Sequence, residues 1–210
     1  GSTAHHLDLG GGSAGLNALA SDVYQEGLLL PPMKFRLSSD WNGGNFERLL
    51  AANIRVPDQT LGDFNAQFAA KAIGIERIRQ LCRKYGAASV KGTMTELMDY
   101  AERQLRAAIH ALPDGVYRAE DWIDGDGITD EQIKVCVEVR IKGDEISFDF
   151  TGSSPQRPGP INCAYGALLS SAKTIFKAMV DPQAPSNEGW FRPVKIICPP
   201  GTVFTARPPA

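Results

Sequence analysis

Two imidazoles and a carboxylate stand within four residues near the start of the chain: His5, His6 and Asp8. These are the donor types that hold zinc, manganese or iron. Alternate side chains of an extended strand point to opposite faces, so His6 and Asp8 share one face and His5 takes the other. Such a strand offers an ion either His5 or the His6–Asp8 pair, and two or more further ligands have to come from elsewhere. A surface histidine pair, or the remnant of a tag, is the plain alternative. The third histidine, His110, falls late in an expected helix, so a Ser-His-Asp or Cys-His site would have to draw its base from these three.

The other motifs carry less. Gly10, Gly12 and Gly15 satisfy G-x-G-x-x-G. No continuous apolar strand precedes them, however, and Pro31-Pro32 follow where a second parallel strand would stand. A flexible turn that admits close backbone approach is the better reading. Asp124-Gly125-Asp126-Gly127 resembles a calcium loop. Aligning Gly127 with the required glycine puts Trp122 at the first ligand position and Ile133 where the bidentate Glu belongs, so a turn is expected instead. No phosphate-binding G-x-x-x-x-G-K-S/T loop and no G-x-S-x-G elbow occurs. Cys82, Cys136, Cys163 and Cys198 form no Cys-x-x-Cys pair, which excludes a zinc ribbon or thioredoxin-like site and leaves them as small apolar residues of a reducing cytoplasm. Cys163 opens an expected helix, a placement that lowers a thiol pKa, but no histidine lies near it in sequence. Thr151-Gly152-Ser153-Ser154 either offers backbone N–H groups to an anion or makes a tight turn.

The elements that position these groups follow from pattern. Residues 3–16 read as a strand end running into a glycine loop. Residues 17–37 read as a loop or short helix, then an extended stretch that Pro31-Pro32 keep from being helical. Asn45 is placed to cap a short helix over 45–53. A helix over 62–85 is expected, with Asp63 as its cap, Gly86 as its stop, and Phe64, Phe68, Ala72, Ile75, Ile78 and Cys82 as an apolar stripe. A second helix over 93–111 starts at the capping box Thr93-x-x-Glu96 and pairs antiparallel with the first across about seven residues. Val116–Ile123, 132–141 and 146–150 read as strands, the last two a hairpin about Gly143-Asp144. A helix over 163–180 and a strand over 193–198 complete the chain. The class is α+β, mixed helices packed on antiparallel β hairpins. The organisation is in three parts: 1–60 with the metal-site strand and glycine loop, 61–112 as a helical hairpin, and 113–210 as an α/β segment.

Composition bounds the partners. The 210 residues hold 22 Lys+Arg against 24 Asp+Glu, a net charge of −2. No single-sign field draws the chain to nucleic acid or anionic lipid. No apolar run approaches the roughly 20 residues of a membrane span. Apolar residues make up 43%, enough for a packed core in one large or two small domains.

Read in order, the motifs resemble the hydantoinase B/oxoprolinase family. They are Ala4-His5-His6-Leu7-Asp8-Leu9-Gly10-Gly11, Tyr24-Gln25-Glu26-Gly27-Leu28, Pro31-Pro32, Asn53-Ile54-Arg55-Val56-Pro57, Gly62-Asp63, Ala66-Gln67 and Ala69-Ala70. They continue through Leu112-Pro113-Asp114-Gly115, Asp124-Gly125-Asp126-Gly127, Asp149–Ser154, Gly159-Pro160-Ile161-Asn162, Asn187-Glu188-Gly189 and Pro199-Pro200-Gly201-Thr202. Members of that family are much longer, so the chain is expected to be the central piece of a larger multidomain subunit.

The resemblance implies a B-type subunit working with an A-type ATPase partner. That partner phosphorylates an amide or enol oxygen with ATP, and the B-type subunit completes hydrolysis of a cyclic amide such as a hydantoin, 5-oxoproline or a lactam. A carboxylase branch of the family instead joins activated bicarbonate to the enolate of acetone or acetophenone. A non-catalytic docking piece for the ATPase is the reading from a different class. The resemblance further implies a divalent metal held by a Gly-Thr-His-x-x-Asp segment, absent from this sequence, together with His5, while His6 and Asp8 orient a ligand or bound water. By itself the chain is then expected to be metal-free or loosely occupied, and inactive. Glu26 and Asp8 are the carboxylates expected to move the proton. Asn53, Arg55 and Gln67 are expected to orient substrate or phosphate, with capping as their structural alternative. Leu28-Leu29-Leu30 replaces a more polar stretch of many members and leaves the substrate class open.

Overall fold

A computed structural model describes residues 1–15 and 17–209. Leu16, which ends the expected glycine loop, and Ala210 lie outside the described residues. The chain forms two compact units, residues 1–84 with Pro209 and residues 85–208.

In the first unit the backbone opens without regular structure, and the expected strand end is not formed: residues 3–9 belong to no strand, with a bend at Leu7. A 3-10 turn follows at Val23–Gln25, then helices α1 (Leu37–Asp40), α2 (Asn45–Ala52) and α3 (Pro57–Tyr85). The cap of α2 is Gly44, and Asn45 is its first helical residue. An added Cβ at Gly44 would lie 2.4 Å from the Ser39 carbonyl oxygen. The Asn42-Gly43 turn before it takes positive φ at both residues. Helix α3 begins five residues before the expected Gly62 start. Pro57 opens it, since a first-turn N–H has no intrahelical partner and the ring fixes a helical φ. Asp63 is therefore an interior residue, not a cap. The core of this unit is aromatic. Trp41, Leu50 and Ile54 are buried, with Phe35, Phe46, Phe64 and Phe68 packed around them. The Trp41 and Phe68 rings meet edge-on at 5.0 Å, and the Trp41 indole N–H donates to Asn65 Oδ1 at 2.8 Å. Of the expected α3 stripe, Phe64 and Phe68 pack into this core, with Leu61 beside them; Ile75 and Ile78 are exposed.

In the second unit α4 spans Ala87–His110. It starts six residues before the expected capping box, and Gly86, at φ 83°, is the sole residue between α3 and α4. An interior Gly92 costs a helix only about 1 kcal/mol, too little to stop it. Ala101, Leu105 and Ile109, spaced by four, are fully buried on its inner face. They pack against Ile141, Ile146, Phe176 and Trp190.

The sheet runs in the order β1 (Gly115–Ile123), β2 (Ile133–Lys142), β3 (Glu145–Asp149), β4 (Val194–Ile197). β1–β2 and β2–β3 are antiparallel, with Ile123 opposite Ile133 and Ile141 opposite Ile146. β4 joins β3 in parallel, which the antiparallel expectation did not include. Helix α5 (Tyr165–Val180) lies between them in the chain. This is the long crossover that a parallel pair requires. Among the described residues no helix is long and apolar enough to cross a membrane.

Polar locks close the loops of this unit. Asp126, from the Asp-Gly-Asp-Gly motif, accepts from the Thr129 N–H at 2.6 Å, the Ile128 N–H at 2.9 Å, the Thr129 hydroxyl at 3.1 Å and the Gly159 N–H at 3.2 Å. The Thr129 amide leads the donors that outweigh burial and pull the carboxyl pKa down to about 2. A Cβ on Gly159 would sit 2.1 Å from the Asp126 carbonyl oxygen. The Thr151–Ser154 segment is the tight turn and not an anion nest. The Ser153 N–H is bonded to Phe150 O, and the Ser154 N–H to Lys134 O. Gly159→Ala should therefore destabilise the fold by roughly 3 kcal/mol through backbone overpacking, and Leu105→Ala by roughly 2–5 kcal/mol through a cavity. Urea unfolding of both variants checks this; a midpoint at the wild-type value for Gly159→Ala would refute the Asp126 lock.

Candidate functional site

The His5-His6-x-Asp8 segment is a strap whose side chains alternate. His5 and Leu7 face out, while His6 and Asp8 face in. Its path is set by backbone bonds to the 25–28 segment: Gly12 N–H to Gln25 O at 2.7 Å and Leu28 N–H to Leu9 O at 2.8 Å. Gly15 N–H returns to Leu7 O at 2.8 Å. The approach is close enough to require glycine. With φ of 89° and 75°, Gly10 and Gly11 hold left-handed backbone. A Cβ on Gly10 would lie 2.7 Å from Asn53 O, and one on Gly11 2.5 Å from Gln25 O. Gly10 and Gly11 thus make a backbone crossing, the close approach expected of this segment, and not a dinucleotide loop.

Asp8 is the most heavily bonded residue of the strap, with 1% of its surface exposed. Its carboxylate accepts from the Gly10 N–H at 3.0 Å, from the Arg55 N–H, and from Arg55 Nη1 at 3.0 Å. Its carbonyl accepts from the Thr60 hydroxyl at 2.9 Å. Arg55 also donates to Gly10 O at 3.3 Å and, through Nη2, to Gly11 O at 2.6 Å. One guanidinium therefore ties both the carboxylate and the glycine carbonyls. Burial alone would raise the Asp8 pKa. The backbone donors of Arg55 and Gly10, with the guanidinium, outweigh it and hold the carboxyl below its ordinary value.

His6 is held by α3. Its Nδ1 lies 3.3 Å from Asp63 Oδ2, and its ring stacks on Phe64 at 4.8 Å with 13° between the planes. The side chain of His6 is 8% exposed, and that of Asp63 is 45% exposed. Asp63, Phe64 and Thr60 are the contributors that sequence reasoning missed. Its position near an expected helix start marks Asp63 as a cap, and nothing local links it to a histidine 57 positions away.

The remaining expected residues are placed as follows. Glu26 is exposed and follows the 3-10 turn, on the same segment that bonds the strap. Asn53 is exposed and caps α2, its amide donating to Leu49 O at 2.8 Å, while its carbonyl backs onto Gly10. Gln67 is half-buried on α3, one turn after Asp63 and on the same face. Cys163 precedes α5, and burial pushes its thiol pKa up, the opposite of the helix-start expectation.

As for a metal, His5 is an outward imidazole on a fixed backbone and fits as one donor. Among the described residues no group of three or more His, Cys, Asp and Glu is placed to hold an ion, so His5 supplies part of a ligand set at most.

Comparison with known proteins then gives a consistent picture. The sequence model of one family, Hydantoinase B/oxoprolinase, matches residues 1–210. An uncharacterized protein of Methanocaldococcus jannaschii is 35% identical over 208 residues, covering 99% of this chain and 36% of its own length. Caprolactamase subunit beta of Pseudomonas jessenii is 33% identical over 212 residues, covering 98% of this chain and 36% of its own length. The crystal structure of the ATP-dependent caprolactamase from Pseudomonas jessenii superposes with a TM-score of 0.85 at 33% identity, over 97% of this chain and 35% of that one. The chain spans about a third of the length of these relatives.

The depressed Asp8 pKa has a defined sign. A folded-state value below the unfolded one contributes stability above about pH 4, and that stability is lost as pH falls through the folded value. Asp8→Asn should therefore unfold at lower urea than wild type at pH 7, with the gap shrinking toward pH 3. Urea midpoints across pH 3–7 read this directly, and a gap independent of pH would refute the ionised tether.

Proposed function

The chain belongs to the hydantoinase B/oxoprolinase family, and from that premise we propose that it is part of the B-type subunit of an ATP-dependent cyclic amide hydrolase acting on lactam-type rings. The observation that carries this reading is the likeness to the ATP-dependent caprolactamase, at 33% identity and a TM-score of 0.85 over nearly the whole chain.

The chemistry has a clear physical need. A lactam carbonyl is a poor electrophile, and phosphorylation of its oxygen by an A-type ATPase partner activates the ring carbon toward water. The C–N bond of the adduct then breaks as the nitrogen takes up a proton, and a second water hydrolyses the acyl phosphate left behind, releasing phosphate and the open-chain amino acid. In this reading His5 is one ligand of a divalent zinc, manganese or iron ion, the others coming from beyond this chain; when bound, the ion supplies Lewis acidity and lowers the pKa of water. Glu26, exposed beside the strap, takes the proton from the attacking water. Gln67 and the free amide oxygen of Asn53 hydrogen-bond the ring amide and orient it. Arg55 has both terminal nitrogens engaged, and Asp8 is filled with donors. Their part is to hold the strap, with Asp8 in the orienting role that the family resemblance implies.

The test is the complete subunit, its A-type partner, ATP and a panel of caprolactam, hydantoin and 5-oxoproline. Ring opening coupled to ATP hydrolysis is the expected result, with Glu26→Gln lowering kcat by about 10²–10⁴-fold and His5→Ala lowering metal content. Turnover of ketone plus bicarbonate without any cyclic amide would replace the hydrolase reading with the carboxylase one. Unchanged metal content in His5→Ala would remove His5 from the ligand set.

A further inference from the structure

We infer that Asp63 is a positioning residue, acting through His6 to fix the part of the strap that presents His5. The inference rests on the metal reading of His5 proposed above, and it assigns a role to a residue that the sequence motifs contain but to which they give only a capping function.

His5 and His6 are adjacent, so on an extended backbone the two rings leave on opposite sides. The side chain of His6 is the inward one, at 8% exposure. The residue two further on, Asp8, is also inward and fully tied to Arg55, Gly10 and Thr60. Asp8, with the Gly15 N–H to Leu7 O bond, fixes the strap on the far side of His6 and leaves the backbone at His5 free to pivot. His6 supplies a second point, one residue from His5. Its ring lies flat on Phe64, 13° from parallel, which fixes the ring plane. Its Nδ1 faces Asp63 Oδ2 at 3.3 Å, which fixes rotation within that plane. An ionised carboxylate only accepts hydrogen bonds, so Nδ1 carries the proton in the neutral imidazole and Nε2 is bare. Asp63 and Phe64 are neighbours in α3, one turn after Thr60, which bonds the Asp8 carbonyl. The first turns of one helix thus hold both inward residues, and His5 is left pointing out from a clamped backbone. On a clamped backbone only the side-chain rotors of His5 remain to be ordered when an ion binds, so the clamp removes the backbone part of the ordering cost.

Asp63 is a good test position because its side chain is 45% exposed and it lies inside a helix. Its replacement by Ala removes the acceptor without opening a core. Two measurements apply. In the metal-free 210-residue chain, ring ¹⁵N shifts should show His6 with Nδ1 protonated, and Asp63→Ala should shift it to a mixture with the Nε2-protonated form. A wild-type His6 protonated at Nε2 would overturn the inference whatever the metal does. In the complete subunit, zinc or manganese affinity measured by chelator competition should fall about 5–30-fold in Asp63→Ala, the ordering cost of about one residue's backbone, and return toward wild type in Asp63→Asn, whose amide oxygen still accepts from Nδ1. Circular dichroism and the thermal midpoint should stay close to wild type in both variants. Wild-type affinity in Asp63→Ala, with His5→Ala having lost the metal, overturns the positioning role alone. Wild-type affinity in His5→Ala overturns the metal reading and this inference with it.

Discussion

The buried carboxylate of Asp8 and the guanidinium of Arg55 form the interaction on which the first unit's strap depends. The strap has no sheet to hold it, and its backbone runs through glycines in left-handed conformations. Glycine is the residue that loses most freedom on ordering, so such a segment has little stability of its own. It is fixed because one carboxylate gathers two backbone N–H groups and a guanidinium, and the same guanidinium gathers two glycine carbonyls. Burying a charge is unfavourable unless it is paired and hydrogen-bonded. Here every contact that offsets that penalty also dictates where the strap goes.

The second unit uses the same device at another point. Asp126 is buried and filled with donors, and it locks the β1–β2 loop to the Gly159 segment. In both units an aspartate beside a glycine turn is a structural anion. A carboxylate near a possible metal site is therefore weak grounds for a catalytic role until its donors are counted. Glu26, which is exposed and adjoins the strap segment, is the contrasting case.

Much of the architecture was legible because it is local. The period-two alternation from Ile133 to Ile141 and from Ile146 to Phe150 marked the hairpin, and Gly143-Asp144 marked its turn. The spacing Leu97, Ala101, Leu105, Ala108 and Ile109 marks the apolar stripe of α4, in which Ala101, Leu105 and Ile109 are fully buried and Leu97 is exposed. Helix starts were less legible. Asp63 and Thr93 looked like caps, but Pro57 and the residues after Gly86 sustain helix further toward the N-terminus. The parallel β3–β4 pair was not legible, since its partners lie some fifty residues apart, Ile146 opposite Val194. The site shows the same division. Alternation separated His5 from His6 and Asp8 correctly, although no strand formed. The pairings of Asp8 with Arg55 and of His6 with Asp63 span 47 and 57 positions, and no local pattern encodes them.

The central claim is that the strap is a fixed element as firmly held as the helix beneath it. Amide hydrogen exchange of the folded chain, read residue by residue, tests it most directly. Gly10, Gly12, Leu28 and Arg55 donate the bonds that define the strap, and Thr60 donates one in the first turn of α3. The account predicts that these five amides share a common, high protection. Exchange of Gly10 and Arg55 at the rate of an unstructured chain, while Thr60 stays protected, would contradict it.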